Sequence, residues 1–338
     1  MVSLNDIRTA RTRLSGVALR TPLIESHIHR NETSADARKL FLKPENLQPI
    51  GAFKLRGAYN KIASLSPEQR ARGVITYSSG NHAQGVAYAA RALGVKATVV
   101  MPRNAPPLKR EATQALGAEL VLVGPGSMER QERAEALARE HGYIVVPPYD
   151  DEQIIAGQGT MGLEILEDLP NVGTVLVPVG GGGMISGIST AIKLSNPSVK
   201  VLGAEPELAA DASASLREGK ITQLPAEEVT RTIADGLRTQ SIGAINFEHM
   251  RRYVDGIVTV SEDEIREAMR RLAANPKTVA EPSGAVAVAA FLFHRQELPN
   301  TEINVAVVSG GNIEREMLQE IRQANESEAT SSRDYASH

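Results

Sequence analysis

The sequence predicts an α/β fold: a large domain built on a mainly parallel, twisted sheet, with a smaller α/β domain inserted into it. Two observations predict this. Short runs rich in Val and Ile recur along the chain with no alternating polar face, the pattern of strands covered on both sides by helices. Segments with helical spacing of apolar residues separate the runs, as the crossovers between parallel strands require.

In chain order the runs are Val74–Tyr77, Ala97–Met101, Leu120–Val123, Val175–Val177, Val199–Leu202 and Val305–Val308. They form two groups, within residues 74–146 and 174–308. The grouping assigns residues 1–68 and 153–325 to the large domain and 69–152 to the small one. Helix starts are legible too. Ser3 with Asp6 and Ser261 with Glu264 have the spacing of capping boxes, the first with Asp in place of Glu or Gln. Ile265, Met269 and Leu272 then follow at helical intervals, and Val86, Ala89, Ala90 and Leu93 make a similar stripe. Residues 326–338 hold little to bury and read as a disordered tail.

Composition removes several function classes. The formal net charge is −3 over 338 residues, whereas nucleic-acid binders gather a basic surplus on one face. The absence of cysteine removes disulfides, thiolate nucleophiles and cysteine metal sites. Met1-Val2-Ser3-Leu4-Asn5-Asp6 lacks the basic start and apolar core of a signal peptide. No apolar run approaches the roughly 20 residues of a membrane span. The expectation is a soluble, cytoplasmic protein with neither nucleic acid nor membrane as partner.

Three segments carry chemistry. Gly180, Gly181, Gly182, Gly183 and Met184 follow the Val175 run and open a helical stretch. Glycines let the backbone approach a ligand closely, and a helix N-terminus offers free N–H groups, so four in a row favour an anion cradle over a plain turn. The spacing is neither Gly-x-Gly-x-x-Gly nor a P-loop. Ser78, Ser79, Gly80, Asn81 and His82 follow the Val74 run and read either as a carboxylate-binding loop or as an ordinary helix cap. Lys54, within Gly51-Ala52-Phe53-Lys54-Leu55-Arg56-Gly57, is either a solvated surface charge or a buried amine poised as nucleophile or base.

Together these segments resemble the fold-type II pyridoxal-phosphate (PLP) enzymes, in the branch of serine/threonine dehydratases and serine racemases. The resemblance runs from Thr21 to Arg322 with the motifs in family order. It rests on Pro44-Glu45-Asn46 leading to Ala52–Ala58, Ser78–His82 with Ala83-Gln84-Gly85, Ala156–Thr160, Gly180–Gly183, Ala234-Asp235-Gly236, Glu281–Gly284 and Ser309–Asn312. It implies a role for each residue. Lys54 carries the cofactor as a Schiff base and takes the substrate Cα proton. Gly180–Gly183 and Met184 hold the cofactor phosphate, Asn81 meets the ring hydroxyl, Phe53 packs near the ring, and Ser309 faces the pyridine nitrogen. Gly236, Glu281 and Gly310 complete the cofactor site. Ser78, Ser79, Gly80, Asn81 and His82 hold the substrate carboxylate. The implied reaction removes water from L-threonine or L-serine and ends in a 2-oxo acid and ammonia.

Further matches refine the reading. In the racemase branch, positions matching Glu205, Ala209 and Asp211 hold Mg²⁺ or Ca²⁺, although an acidic surface loop is the plain alternative. Ser79 matches a racemase position on the cofactor face opposite the lysine, where a hydroxyl can return a proton and invert Cα. Arg130 matches a racemase pocket position and can pair with a second carboxylate; an exposed helix arginine fits as well. Ala83-Gln84-Gly85, Ala280–Ala285 and Asp235–Gln240 look more like dehydratases. Dehydratase is therefore the first reading, with serine racemase and threo-3-hydroxyaspartate dehydratase as alternatives. The chain ends soon after the last motif, which leads us to expect no isoleucine-binding regulatory domain. The resemblance also implies a homodimer.

Overall fold

The computed structural model describes residues 1–28, 38–78, 80–105, 107–124 and 127–323. Ser79 and the tail expected over 326–338 lie outside the described residues. The strands are β1 (Ile24–Ser26), β2 (Lys39–Pro44), β3 (Val74–Tyr77), β4 (Ala97–Pro102), β5 (Glu119–Val123), β6 (Ile144–Val145), β7 (Thr174–Pro178), β8 (Lys200–Pro206), β9 (Gly256–Val260) and β10 (Ile303–Val308). They form two sheets. The larger has the order β1-β2-β10-β7-β8-β9, and the smaller β5-β4-β3-β6. Every described pairing is parallel except β1 with β2.

Burial explains the uniform apolar runs. All residues of β4 and β7 are buried, because helices cover both faces. The helix Pro282–Phe293, almost wholly apolar, packs inside the larger unit with β8 and β10. β5 departs from the expectation of two-sided burial. It is an edge strand, and Glu119 and Leu122 on it are exposed. Both capping boxes form as spaced, and Ile265, Met269 and Leu272 are buried. β1, β2, β6 and β9 match none of the runs named in the sequence. β2 crosses from the N-terminal segment to pair with β10, a join that no local pattern announces.

Two helices bring the N-terminal segment onto the larger sheet's unit. Lys54–Ala63 packs against Glu152–Asp168 at Gly157, where a Cβ would stand 2.6 Å from the Arg56 carbonyl oxygen. Only glycine permits that approach. Beneath this contact lies a fully buried ionic group. Arg56 donates to both Glu45 oxygens (2.8 and 2.9 Å) and to both Glu164 oxygens (2.6 and 2.9 Å). Lys43 Nζ donates to Glu164 (2.6 Å) and to the Thr21 carbonyl (2.7 Å). Two cations face two carboxylates, and each charge is met by hydrogen bonds, the condition for burying ions.

Candidate active site

In parallel sheets ligands settle beyond the carboxyl ends of the strands, where the loops turn into helices. Four such ends meet here. Ser78 follows β3, Pro148 follows β6, Gly180 follows β7 and Ser309 follows β10. They bound one cleft of about 320 Å³ between the two sheets. Phe53, Lys54, Ser78, Gly80, Asn81, His82, Arg130, Gly180–Gly183, Met184, Gly236, Glu281 and Ser309 all line it. Gly310 backs the wall: a Cβ on it would lie 2.3 Å from Glu281 Oε1 and 3.2 Å from Asn81 Nδ2.

Lys54 opens its helix at the end of a loop tied to β10. The Phe53 N–H donates to the Ser309 carbonyl (3.0 Å), and the Gly311 N–H to that of Gly51 (2.9 Å). The Lys54 ammonium donates to the Pro148 carbonyl at 2.7 Å and meets no carboxylate among the described residues. Desolvation without a counter-charge disfavours the protonated form and brings Lys54 down to about 8. The solvated-charge reading of this lysine is thereby replaced by that of a half-buried amine in the cleft.

The glycine run opens the helix Gly183–Ser195, with Gly182 at φ +91°, the left-handed region where glycine is at home. A Cβ on Gly181 would lie 2.3 Å from the Tyr149 ring. The N–H groups of Gly180, Gly181 and Gly182 donate to no described main-chain acceptor. Bare donors at a helix start, with no side chain to cover them, suit the phosphate of PLP.

Opposite the glycines, Asn81 is fixed at both ends. Asn312 Nδ2 donates to Asn81 Oδ1 (2.7 Å), and Asn81 Nδ2 donates to Glu281 Oε1 (2.5 Å). Burial and the nearby Asp235 raise Glu281 to about 7, against the pull of the Lys109 ammonium. His82 is buried, and burial together with the Lys54 charge drops it to about 3. It is neutral at neutral pH, and Nε2 must carry the proton because it meets the Val146 carbonyl at 3.0 Å. Its side chain therefore has no proton for a substrate carboxylate. What the segment offers instead is the first-turn N–H groups of the helix Asn81–Ala92. Arg130 is half-buried on the helix Ser127–His141 and reaches the cleft, so it is not the exposed arginine of the alternative reading.

Several site residues escaped the sequence reading. Lys109 Nζ meets Asp235 at 2.5 Å across the cleft mouth, joining the helix after β4 to the loop that carries Gly236. Ser283 Oγ accepts from the Gly236 N–H (2.9 Å) and so fixes that loop. Tyr149 and Pro148 flank the lysine and the glycines. Asp235 and Ser283 lie in the quoted motifs, so their position was visible although their contacts were not. Lys109, Pro148 and Tyr149 carried no local signal.

Glu205 and Asp211 come together behind the cleft wall, both wholly buried and neither lining the cleft, with Asp211 near the lining residues Tyr149 and Thr239. Burial raises Glu205, with the Asp211 charge adding to it, and burial raises Asp211 to about 7. The Ala212 and Ser213 N–H groups donate to Glu205 (3.0 and 2.8 Å), while neither Asp211 oxygen has a well-formed hydrogen bond among the described residues. Among the described residues no group of three or more His, Asp or Glu side chains converges as a metal site.

The arrangement defines a class: an α/β protein that sets a desolvated amine and a bare glycine loop on one cleft at the strand ends. The particular family follows from comparison. A family model for "Pyridoxal-phosphate dependent enzyme" matches residues 14–310, and the chain belongs to that family, with pyridoxal phosphate as its cofactor. It is similar to an L-threonine ammonia-lyase of Thermotoga maritima, at 46% identity over 95% of this chain and 78% of that one. Among solved structures it resembles a threonine deaminase from T.th., at TM-score 0.85 and 46% identity over 92% of this chain and 99% of that one. It also resembles maize serine racemase, at TM-score 0.89 and 37% identity over 97% of this chain and 99% of that one. The fold is that of the fold-type II PLP enzymes, as the motifs implied. Among the described residues no helix is long and apolar enough to cross a membrane.

Proposed function

We propose that the protein eliminates water from L-threonine or L-serine and releases ammonia with the corresponding 2-oxo acid. The observation that carries this is Lys54: an amine lowered to about 8 by desolvation, in a cleft whose far walls are the glycine loop and the Asn81 segment. The relatives named as threonine ammonia-lyase and threonine deaminase support the substrate class.

In this reading the N–H groups of Gly180–Gly183 hold the cofactor phosphate, with Met184 beside them, and Phe53 packs near the ring. Asn81, oriented by Asn312 and Glu281, donates to the ring hydroxyl. Ser309, Gly236, Glu281 and Gly310 close the remaining wall. Bound PLP supplies a sink for the electron pair left when Cα loses its proton. Lys54 is the base for that proton, since an amine near 8 is partly free at neutral pH. Ser78, Gly80 and the N–H groups at the start of the helix Asn81–Ala92 hold the substrate carboxylate, and Arg130, which lines the cleft, can pair with a second carboxylate. A neutral Ser309 hydroxyl at the ring nitrogen, where a carboxylate would favour its protonation, suits prompt loss of the β-hydroxyl.

Glu205 and Asp211, with the Ala209 carbonyl, form a hard oxygen set, and we assign them a Mg²⁺ or Ca²⁺ ion with water filling the shell. Two buried carboxylates, the Asp211 charge adding to the rise of Glu205 and Asp211 lacking a well-formed hydrogen bond among the described residues, fit a cation between them. Residues 69–152, which hold the smaller sheet, act as a body that closes over the substrate. The proposal includes a homodimer, for which light scattering reads twice the 36.2 kDa chain mass; the single chain mass would refute that part.

Racemisation is the second reading, favoured by the sequence position of Ser79 and the likeness to maize serine racemase. One experiment separates the two. The PLP-loaded protein is given L-threonine, L-serine and threo-3-hydroxyaspartate separately with Mg²⁺, and 2-oxo acid is followed together with the enantiomer ratio of remaining substrate. Rapid 2-oxo acid without D-enantiomer is the expected result, and the fastest substrate defines the preference. D-serine gathering faster than pyruvate would overturn the dehydratase reading.

A further inference from the structure

We infer that Asn246 is a positioning residue for the cofactor phosphate: its side-chain amide turns the Gly181–Gly182 peptide so that the Gly182 N–H faces the cleft. The inference rests on the reading that the glycine run holds that phosphate. Asn246 is wholly buried on the helix Ala244–Tyr253, behind the glycine loop. Its Nδ2 donates to the Gly181 carbonyl at 2.7 Å, and the Gly243 N–H donates to the same oxygen at 3.1 Å. Both donors lie at the start of one helix, so that carbonyl is held toward it. In a planar trans peptide the C=O of one residue and the N–H of the next point in opposite directions. The Gly182 N–H consequently points away from the helix, and it has no described main-chain acceptor of its own.

The surroundings hold this arrangement fixed. Asp150 caps the helix, accepting from the N–H groups of Ala244 (3.1 Å), Ile245 (2.9 Å) and Asn246 (3.3 Å). Ser186 Oγ donates to the Asn246 carbonyl at 3.3 Å. Gly182 lies flat against the same helix: a Cβ there would stand 2.9 Å from Met250 Sδ and 3.0 Å from Asn246 Cβ. The amide orientation follows from the chemistry, because a flipped Asn246 would set oxygen against oxygen. Asn246 Oδ1 is buried without a partner among the described residues, a cost that a leucine of similar size would not carry. The Nδ2 contact is what the asparagine provides in return.

The test compares two cofactors that differ only in the phosphate. Apoprotein of the wild type, Asn246→Leu and Asn246→Asp is titrated with PLP and with pyridoxal by absorbance, and each variant's thermal midpoint is measured. Loss of one donor to a phosphate predicts that PLP binds about 10-fold more weakly in both variants while pyridoxal affinity stays within about 2-fold. Equal weakening toward PLP and pyridoxal would make Asn246 merely structural and overturn the inference. Unchanged PLP affinity in either folded variant would overturn it as well. Asn246→Asp keeps the side-chain volume, so it decides the matter if Asn246→Leu does not fold. A wild type that shows no preference for PLP over pyridoxal would instead refute the phosphate cradle itself.

Discussion

Replacing Arg56 with methionine tests how the helix carrying Lys54 is anchored. Arg56 is 1% exposed and serves both Glu45 and Glu164, so the substitution leaves two buried carboxylates with Lys43 alone. Lys43 stays on Glu164. Among the described residues Glu45 then keeps the Thr21 hydroxyl (2.8 Å) and the Gln48 amide (3.0 Å) as its donors. A buried charge stripped of its partner costs about 3–5 kcal/mol. At ~2 °C per kcal/mol for a chain of this size, the thermal midpoint of the apoprotein falls by about 6–10 °C. The pH dependence has a definite sign. Burial alone would push Glu45 up, but the Arg56 and Lys43 charges hold it below the ordinary carboxylate range. A depressed carboxylate stabilises the fold above its unfolded pKa, and that contribution is lost as pH falls. Without Arg56, burial prevails and Glu45 takes up a proton more readily, so the variant's deficit is largest near neutrality and shrinks toward about pH 5. Urea unfolding of both apoproteins at the two pH values reads this directly. A midpoint loss under about 2 °C, or a deficit equal at both pH values, would refute the assignment of Arg56 as the indispensable cation.

Three other outcomes are expected. The rate at which apoprotein captures PLP, followed by stopped-flow absorbance, rises with pH and levels off above about 8; continued rise toward 10.5 would mean that Lys54 is solvated. Gly181→Ala drives a Cβ to 2.3 Å from the Tyr149 ring, so PLP affinity drops by at least about 10-fold in equilibrium titration. Unchanged affinity would place the phosphate elsewhere. Mg²⁺ or Ca²⁺ at about 100 times its dissociation constant raises wild-type stability by about 2.7 kcal/mol and leaves Asp211→Asn unmoved; an equal rise in both would remove Asp211 from the metal set.

Much of the fold is written locally, and the exceptions have physical causes. A strand covered on both faces must be apolar throughout, so β4 and β7 are plain in the sequence. β1 is only three residues long, while β9, an edge strand with three of its five residues half-buried, holds in Ile257–Val260 a run as apolar as Val74–Tyr77 and was legible. β2 is broken by Lys39, Lys43 and Pro44, and Lys43 is there because Glu164 waits for it 121 residues away. The cradle glycines were legible because backbone approach needs a missing side chain. Lys54 was ambiguous from its neighbours alone, since its lowered proton affinity comes from being enclosed without a carboxylate beside it. Asn246 reaches its glycine across 65 residues and Lys109 its aspartate across 126, and a single sequence holds no pattern for such pairs. His82 shows the opposite case: the motif was visible, but its neutrality follows from burial beside Lys54 and its tautomer from the Val146 carbonyl.

The measurement closest to the central claim is the identity of the lysine that carries the cofactor. The PLP-loaded protein is reduced with borohydride, digested, and its peptides are weighed. The pyridoxyl mass is expected on Lys54. The mass on Lys43, Lys109 or another lysine, or on none, would remove Lys54 as the cofactor-bearing amine.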